Sequence, residues 1–151
     1  MAANLYRGCS HGCTYCYAPS ATFRKREDFC NAMVRTDVLK KFKKDVLALE
    51  ESGEKRPILL SFTTDPYQPL DVKEQLTRKA IELLHDHGLK VEILTKGGKR
   101  SERDLDLLSK NPELSSYGAT LVFTDENMRK EVEPNAASTF ERIESLRKAH
   151  D

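Results

Sequence analysis

The stretch ILLSF, residues Ile58–Phe62, decides the fold class of this chain. It is a short continuous apolar run that begins after Pro57, and such runs are typical of strands buried on both faces of a sheet. Two similar runs follow it, VEILT at Val91–Thr95 and ATLVF at Ala119–Phe123. Because their starts recur at about the length of one βα unit, we expect them to be parallel strands of one sheet.

Helices are predicted between these strands by apolar residues at helical spacing and by capping residues. The predicted helices are Thr36–Glu51, a helix from Asp71 to Gly88, a short helix from Ser101, and a last helix that begins at the capping box of Ser138 and Glu141 and carries Phe140, Ile143, Leu146 and Ala149. A brief strand candidate at Ala3–Tyr6 precedes them. The alternation indicates an α/β fold of about four βα units, roughly half of an eightfold barrel, so the sheet is not expected to close.

The composition is that of one globular domain. The chain has 151 residues, of which 38% are hydrophobic and 32% charged, with a formal net charge of +1. That balance gives no field to attract nucleic acid or an anionic membrane. No apolar run approaches the roughly 20 residues of a membrane span, and the N-terminus does not resemble a signal peptide. We therefore expect a cytoplasmic protein.

The chemistry is predicted to lie in a cysteine cluster, because all 4 Cys fall within the first 30 residues. Cys9, Cys13 and Cys16 form a C-x3-C-x2-C motif flanked by Gly8 and Gly12, which let backbone amides approach a cluster. Three cysteines on a four-iron cluster leave one iron open for a small molecule, whereas structural zinc is normally closed by four ligands. The spacing therefore favours iron and sulfur.

Two alternatives to an iron-sulfur site stay open. A zinc site could recruit His11 or Cys30 as its fourth ligand. Disulfides would need an oxidising compartment, for which the sequence holds no signal. Otherwise Cys30 is expected to be a small, partly buried residue.

The segment NLYRGCSHGCTYCYAP, residues Asn4–Pro19, resembles the cluster loop of radical S-adenosylmethionine (SAM) enzymes. Within them it is most similar to the spore photoproduct lyase-like branch, often labelled DNA repair photolyase. Further matches, in the same order and spacing, are SFTTDPYQPLD at Ser61–Asp71, ILTK at Ile93–Lys96, RDLDLL at Arg103–Leu108, and a strand ending in Phe123 and Thr124 that is followed by Glu133, Pro134 and the helix with Arg142. The resemblance covers essentially the whole chain.

The resemblance implies a radical SAM core domain over residues 1–151, a parallel partial (β/α) barrel with four of the family's six βα units in this chain and the C-terminal units outside it. It implies a [4Fe-4S] cluster on Cys9, Cys13 and Cys16, with SAM as co-substrate. In this family the reduced cluster cleaves SAM to a 5′-deoxyadenosyl radical, which abstracts hydrogen from the substrate. For this branch it further implies a lyase-like enzyme, an electron donor such as a flavodoxin or ferredoxin, and a nucleic-acid lesion as substrate.

The positions that match the family's SAM contacts are Tyr15, Thr63, Thr64, Asp65, Lys96 and Thr124. The family places an aromatic such as Tyr15 against the adenine, and it holds the methionyl ammonium with the polar residues after the second strand. Lys96 suits the SAM carboxylate, because it is a point charge at the end of a strand. Thr124 suits the ribose.

Each of these positions also has an ordinary structural interpretation. Thr64 and Asp65 before Pro66 are compatible with a simple turn, and Lys96 with a solvated loop lysine. A Thr at a strand end is common. Arg142 is expected to be a solvated helix residue. The basic run Arg24, Lys25 and Arg26 is expected to be a solvated loop, and it is the only local feature that favours nucleic-acid phosphates.

The sequence departs from photoproduct lyase in one respect, and two alternative functions stay open. Photoproduct lyase proper uses a cysteine well after the cluster loop as hydrogen donor, and no Cys follows Cys30 in these residues. That specific reaction is not expected. The alternative functions are a zinc- or cluster-stabilised nucleic-acid-binding module and an inactive fragment of an enzyme.

Overall fold

The computed structural model of the protein describes residues 1–150. In chain order the elements are β1 (Ala2–Ala3), β2 (Tyr6–Arg7), α1 (Ala18–Ala21), α2 (Arg26–Cys30), β3 (Met33–Val34), α3 (Val38–Glu51), β4 (Ile58–Leu60), α4 (Pro69–Glu74), α5 (Leu76–Asp86), β5 (Val91–Thr95), a 3₁₀ helix (Gly98–Asp104), α6 (Leu105–Lys110), a second 3₁₀ helix (Pro112–Leu114), β6 (Ser115–Ala119), α7 (Glu126–Val132) and α8 (Thr139–His150).

Four of the strands form one parallel sheet in the order β1-β4-β5-β6. Ile58 pairs with Val91, which in turn pairs with Ser115, so the three longer strands begin in register. This confirms the α/β class and a parallel sheet with four strands. Over the part of the chain that the structure describes the sheet is open, and no closed barrel is formed.

The core lies between this sheet and the helices that cross over it. Its most buried apolar side chains include Val46 of α3, Leu60 of β4, Ile81 and Leu84 of α5, and Val91 of β5. Helices α3 and α5 contact each other, and α8 packs against β6 and the first 3₁₀ helix. Within residues 1–150 no helix has the length and apolar character needed to cross a membrane.

The predicted fourth strand was placed too late in the sequence. The strand is Ser115–Ala119, which pairs with all five residues of β5, whereas Leu121 and Val122 lie beyond it and are 46% and 50% exposed. The segment SSYGA is half-buried at the sheet edge and needs no continuous apolar run. The apolar run ATLVF therefore marks the segment that follows the strand and not the strand itself.

The predicted first strand, Ala3–Tyr6, is divided between two sheets. Ala2 and Ala3 join the parallel sheet beside β4, whereas Tyr6 and Arg7 pair antiparallel with β3. Sequence periodicity does not reveal this division, because β2 is only two residues long.

The helix predicted from Asp71 to Gly88 is two helices. Gln75 adopts a left-handed backbone conformation with φ of 51°, which separates α4 from α5. Asp71 lies within α4 and not at its start, and its buried carboxylate accepts hydrogen bonds from the Tyr6 hydroxyl, from Arg103 and, at 3.1 Å, from the Thr77 amide in the first turn of α5.

The helix α7 is an element that the sequence analysis missed. Its signal was Asp125, whose carboxylate accepts the amides of Asn127 and Met128 at 2.9 Å each as an N-cap. The capping box of the last helix is confirmed, since the Ser138 amide donates to the Glu141 carboxylate at 2.9 Å and the Glu141 amide donates to Ser138 Oγ at 3.1 Å.

The buried residues of α8 are polar. Arg142 and Ser145 are buried, while Phe140 is 67% exposed. Of the other apolar residues that this helix carries, Ile143 and Leu146 are partly buried and Ala149 is exposed. The hydrogen bonds of Arg142 orient this helix.

Candidate cofactor site

The cysteine loop, residues 8–16, lies over the carboxyl ends of the parallel strands. The Thr64 hydroxyl, just after β4, donates to Gly8 O at 2.5 Å. The Ser10 amide donates to Gln68 Oε1 at 3.0 Å, and Gln68 Nε2 donates to Thr64 Oγ1 at 2.9 Å. The loop therefore sits where ligands bind in open parallel sheets.

The other side of the cysteine loop rests on the segment that follows α7. The Thr14 amide donates to Val132 O at 2.9 Å, and the Asn135 amide donates to His11 O at 3.1 Å. The Asn135 side-chain amide donates to Ser10 O at 3.0 Å. The cysteine loop is thus held between two segments that are distant in sequence.

Arg26 holds the cysteine loop from a third direction. Its guanidinium donates to Cys13 O at 2.8 Å and to Cys16 O at 3.2 Å. Its neighbour Arg24 donates to Asp28 O at 2.5 Å. Lys25 and Arg26 are exposed, as expected for this basic run, but the guanidiniums of Arg24 and Arg26 are used by backbone carbonyls.

Gly8 is required at the start of the cysteine loop. Its φ is +84°, and a Cβ at this position would lie 2.3 Å from Phe29 O. The same carbonyl accepts the Cys9 amide at 3.0 Å. Only glycine permits this close crossing of the two backbones.

The loop carries three free thiols, of which Cys13 is buried and Cys9 and Cys16 are partly buried. Burial, followed by the charge of Asp65, raises the pKa of Cys9 to about 12. Burial also raises the pKa of Cys13 to about 11, while the nearby Lys96 charge acts to lower it. Without a bound metal these two groups are neutral thiols at pH 7, so metal binding must displace their protons.

The chemistry of this donor set fits an iron-sulfur cluster, because thiolates are soft ligands and all three come from one loop. Within residues 1–150, however, no three His, Cys, Asp or Glu side chains are gathered in an arrangement ready to hold a metal ion. The assignment of Cys9, Cys13 and Cys16 as ligands therefore stays a prediction. Cys30 is partly buried at the end of α2, as expected. All four cysteines are free, so the structure contains no disulfide among them.

Asp65 joins the ends of β4 and β5 behind the cysteine loop. One carboxylate oxygen accepts the Tyr67 amide at 2.8 Å and the Thr95 hydroxyl at 2.6 Å. The other accepts the Lys96 amide at 2.8 Å and lies 3.5 Å from His11 Nδ1. With 8% of the residue exposed, this carboxylate is engaged within the protein.

His11 is a site residue whose position was not predicted. It is buried, and Arg100 Nη2 lies 3.0 Å from its Nε2. Because a guanidinium only donates, Nε2 accepts and the ring proton sits on Nδ1, facing Asp65. Burial lowers the pKa of His11 to about 4, so the ring is neutral at pH 7. Arg100 occupies Nε2 and Nδ1 faces Asp65, which argues against His11 as the fourth ligand of a zinc site.

Lys96 lies beside the cysteine loop rather than in a solvated loop. Its ammonium is 5.7 Å from the centre of the Tyr15 ring, and no carboxylate in the described chain forms an ion pair with it. The following Gly97 is buried, and a Cβ there would lie 2.5 Å from Tyr67 Cβ. This close packing fixes the chain at Lys96 and leaves a cation next to the thiols.

Tyr15 is connected to a buried ion pair. Its hydroxyl donates to Glu133, whose other oxygen accepts Arg142 Nη2 at 2.6 Å. Glu133 is 0% exposed and Arg142 is 1% exposed. Arg142 also donates to Ala137 O and Thr120 O, each at 2.9 Å. The expectation that Arg142 is solvated is therefore wrong, because its charge is compensated by the buried Glu133 carboxylate and its other donors are satisfied by backbone carbonyls.

The three threonines predicted at the site differ in their positions. Thr64 holds the cysteine loop as described, and the Thr63 amide donates to Asn4 Oδ1 at 2.8 Å. Thr124 is exposed and lies well beyond the end of β6. The residue that directly follows β6 is Thr120, whose amide donates to Thr95 O at 3.0 Å. The structure thus brings together the cysteine loop, Asp65 and Lys96, while the role of Thr124 stays a prediction.

Similar curated proteins come from bacteria, archaea and viruses. An uncharacterized protein of Mycobacterium tuberculosis is 30% identical over 147 residues, which cover 93% of this chain and 42% of the relative. An uncharacterized protein of Methanocaldococcus jannaschii is 28% identical over 148 residues, covering 98% and 54%. One of Acidianus two-tailed virus is 30% identical over 164 residues, covering 99% and 51%. The chain spans about half the length of the curated relatives it matches.

No solved structure gives a significant match to the chain. A family model described as Radical SAM superfamily matches residues 3–151, essentially the entire sequence. That match agrees with the cysteine loop at the carboxyl edge of a parallel sheet, which the structure shows independently. The chain belongs to the radical SAM superfamily.

Proposed function

We propose that this chain is the cofactor-binding part of a radical SAM enzyme of the spore photoproduct lyase-like branch. Cys9, Cys13 and Cys16 hold a [4Fe-4S] cluster, and SAM binds on the Lys96 side of the cysteine loop. The observation that carries the proposal is the placement of three free thiols on a loop that two segments of the fold hold in place, with an unpaired cation beside them.

When bound, the cluster and SAM supply one-electron chemistry that allows hydrogen abstraction from an otherwise unreactive substrate. The residues of the chain bind and orient these groups. Lys96 attracts the SAM carboxylate, since a charge-assisted contact is stronger than a neutral one. Tyr15 offers its ring to the adenine. Asp65 keeps the two strand ends together and so fixes the distance between Lys96 and the cysteine loop.

The substrate and the electron donor belong to the whole protein. By its motif the chain is assigned to a branch for which we propose a nucleic-acid lesion as substrate and a flavodoxin or ferredoxin as donor. The guanidiniums of Arg24 and Arg26 are occupied by backbone carbonyls, so Lys25 is the member of the basic run whose side chain makes no hydrogen bond to the described part of the protein. The proposal of a nucleic-acid substrate therefore rests on the motif alone.

The test is anaerobic reconstitution with iron and sulfide, followed by iron, sulfide and zinc analysis and an assay for SAM cleavage. Changing Cys9, Cys13 or Cys16 to Ala should remove most of the iron and all of the cleavage, because thiolates hold the irons. Cys30→Ala is the matched control and should retain both. Equal loss of iron in the Cys30 variant would mean that Cys30 is a fourth cluster ligand, so that no iron is open to SAM. Zinc retained in place of iron would exclude the radical mechanism.

A further inference from the structure

A chain of hydrogen bonds connects the last helix to the cysteine loop. Arg142 of α8 is fixed by Ala137 O and Thr120 O, and it pairs with one oxygen of Glu133. The other oxygen of Glu133 accepts the hydroxyl of Tyr15. Tyr15 lies between two of the cysteines, so this chain of contacts ends inside the C-x3-C-x2-C motif.

Packing alone does not hold the Tyr15 ring, because the residue is 48% exposed. Two polar contacts restrain it instead: Glu133 at its hydroxyl and the Lys96 ammonium over its face at 5.7 Å. A buried carboxylate with one oxygen on a fixed arginine has a single orientation for its other oxygen. That second oxygen therefore defines where the phenol must lie.

The stability of the fold alone does not explain the buried Glu133–Arg142 pair. Both charges are removed from water, and a buried pair of this kind is often no more stable than apolar residues of the same size. A buried pair does fix geometry, however, and its spare acceptor is used by the one aromatic residue within the cysteine motif.

We propose that Glu133 and Arg142 are positioning residues that act through Tyr15. They hold its ring beside Cys13 and Cys16 before SAM arrives, so that SAM meets a preformed aromatic surface. This inference rests on the proposed function, since it takes the Tyr15 ring to be part of the SAM site. It also assigns a role to α8, which packs on the sheet but does not itself reach the cysteines.

The first test uses the reconstituted protein and the dissociation constant of SAM. Tyr15→Phe keeps the ring and the ion pair but removes the hydroxyl, so SAM must immobilise a free ring and should bind roughly two- to tenfold more weakly. Iron content should not change. Tyr17→Phe is the matched control, because that hydroxyl donates only to Phe62 O at 3.1 Å, and its affinity for SAM should equal that of the original chain.

A double-mutant cycle separates positioning from a general structural role. Glu133→Gln should weaken SAM binding in the original chain and have no further effect when Tyr15→Phe is already present. The same loss in both backgrounds would show that Glu133 does not act through Tyr15 and would overturn the proposal. If Glu133→Gln does not fold, the comparison of Tyr15→Phe with Tyr17→Phe decides, since equal affinities there would also overturn it.

A cofactor-free measurement keeps this inference distinct from the proposed function. The protein contains 5 Tyr, and labelling them with 3-fluorotyrosine gives a fluorine spectrum in which the Tyr15 signal is the one lost in Tyr15→Phe. Glu133→Gln should shift or broaden that signal, and an unshifted signal would refute the positioning role. A chain that binds no cluster would end the proposed function, yet the fluorine spectrum would still report whether Glu133 holds Tyr15.

Discussion

Replacing Asp65 with asparagine should destabilise the cofactor-free protein by about 3 kcal/mol. The amide keeps one oxygen for the Tyr67 amide and the Thr95 hydroxyl, but its NH₂ group then faces the Lys96 amide and His11 Nδ1. Both of those groups also donate hydrogen bonds, so the substitution places the asparagine NH₂ donor against two other donors. A lost charge-assisted bond costs about 1.5–3 kcal/mol and an unsatisfied buried amide about 1–3 kcal/mol. Together these two costs amount to about 2.5–6 kcal/mol. We expect a value near the lower end because the Lys96 amide is only partly buried.

Urea unfolding followed by circular dichroism measures this loss. With a slope near 2 kcal/mol per molar, a loss of about 3 kcal/mol moves the midpoint down by roughly 1.5 M urea. Asp125→Asn is the matched control, because Asp125 also accepts two backbone amides but is exposed at a helix N-terminus, where asparagine caps equally well. Its midpoint should stay unchanged. A midpoint for Asp65→Asn equal to that of the original chain would refute the view that this carboxylate joins the two strands.

Three further predictions concern the cofactor site, the pH and the sheet edge. Lys96→Ala should weaken SAM binding about 10- to 150-fold without altering the absorbance of the cluster, and equal affinity would return Lys96 to an ordinary surface role. The pKa of His11 is lower in the folded protein than in the unfolded chain, so the unfolded state binds the extra proton and stability falls as the pH drops from 6.5 to about 4. Between pH 7 and pH 4 the free energy of unfolding, measured by urea titration, should therefore fall by up to about 3 kcal/mol less in His11→Gln than in the original chain. The same fall in both proteins would contradict this. The outer edge of β6 has no strand partner in residues 1–150, so the 151-residue chain should associate as its concentration rises, and a monomer at every concentration in sedimentation would contradict this.

The parts of the fold that the sequence predicted well are those with local signals. The strand Val91–Thr95 lies in the middle of the sheet, with Val91, Ile93 and Thr95 buried and Leu94 52% exposed, and its apolar run predicts its bounds to the residue. The capping box of Ser138 and Glu141 is likewise a contact between residues close in sequence. The edge strand β6 carries no such signal, because a half-buried edge tolerates Ser, Gly and Tyr.

The same distinction applies to the candidate site. Asp65 and Lys96 were found because polar residues that follow apolar strands gather at one edge of a parallel sheet. His11, Glu133 and Arg142 were missed because a charged or polar residue normally predicts exposure. His11 and Glu133 contact Arg100 and Tyr15, which lie far away in the sequence, and the Glu133–Arg142 pair spans nine residues, a spacing that belongs to no local motif.

Several of the hydrogen bonds that hold the cysteine loop use only its main chain, and this has a consequence for sequence variation. Thr14 contributes its amide to Val132 O, while Cys13 and Cys16 contribute carbonyls to Arg26, so none of these bonds depends on the side chain of the loop residue. In a saturation library we expect many amino acids to be accepted at Thr14, with proline rejected because it has no amide hydrogen. A variant that lacks a thiol should keep the loop's outline. Such variants can therefore serve as cluster-free controls in binding studies and as scaffolds for the design of other soft-metal sites.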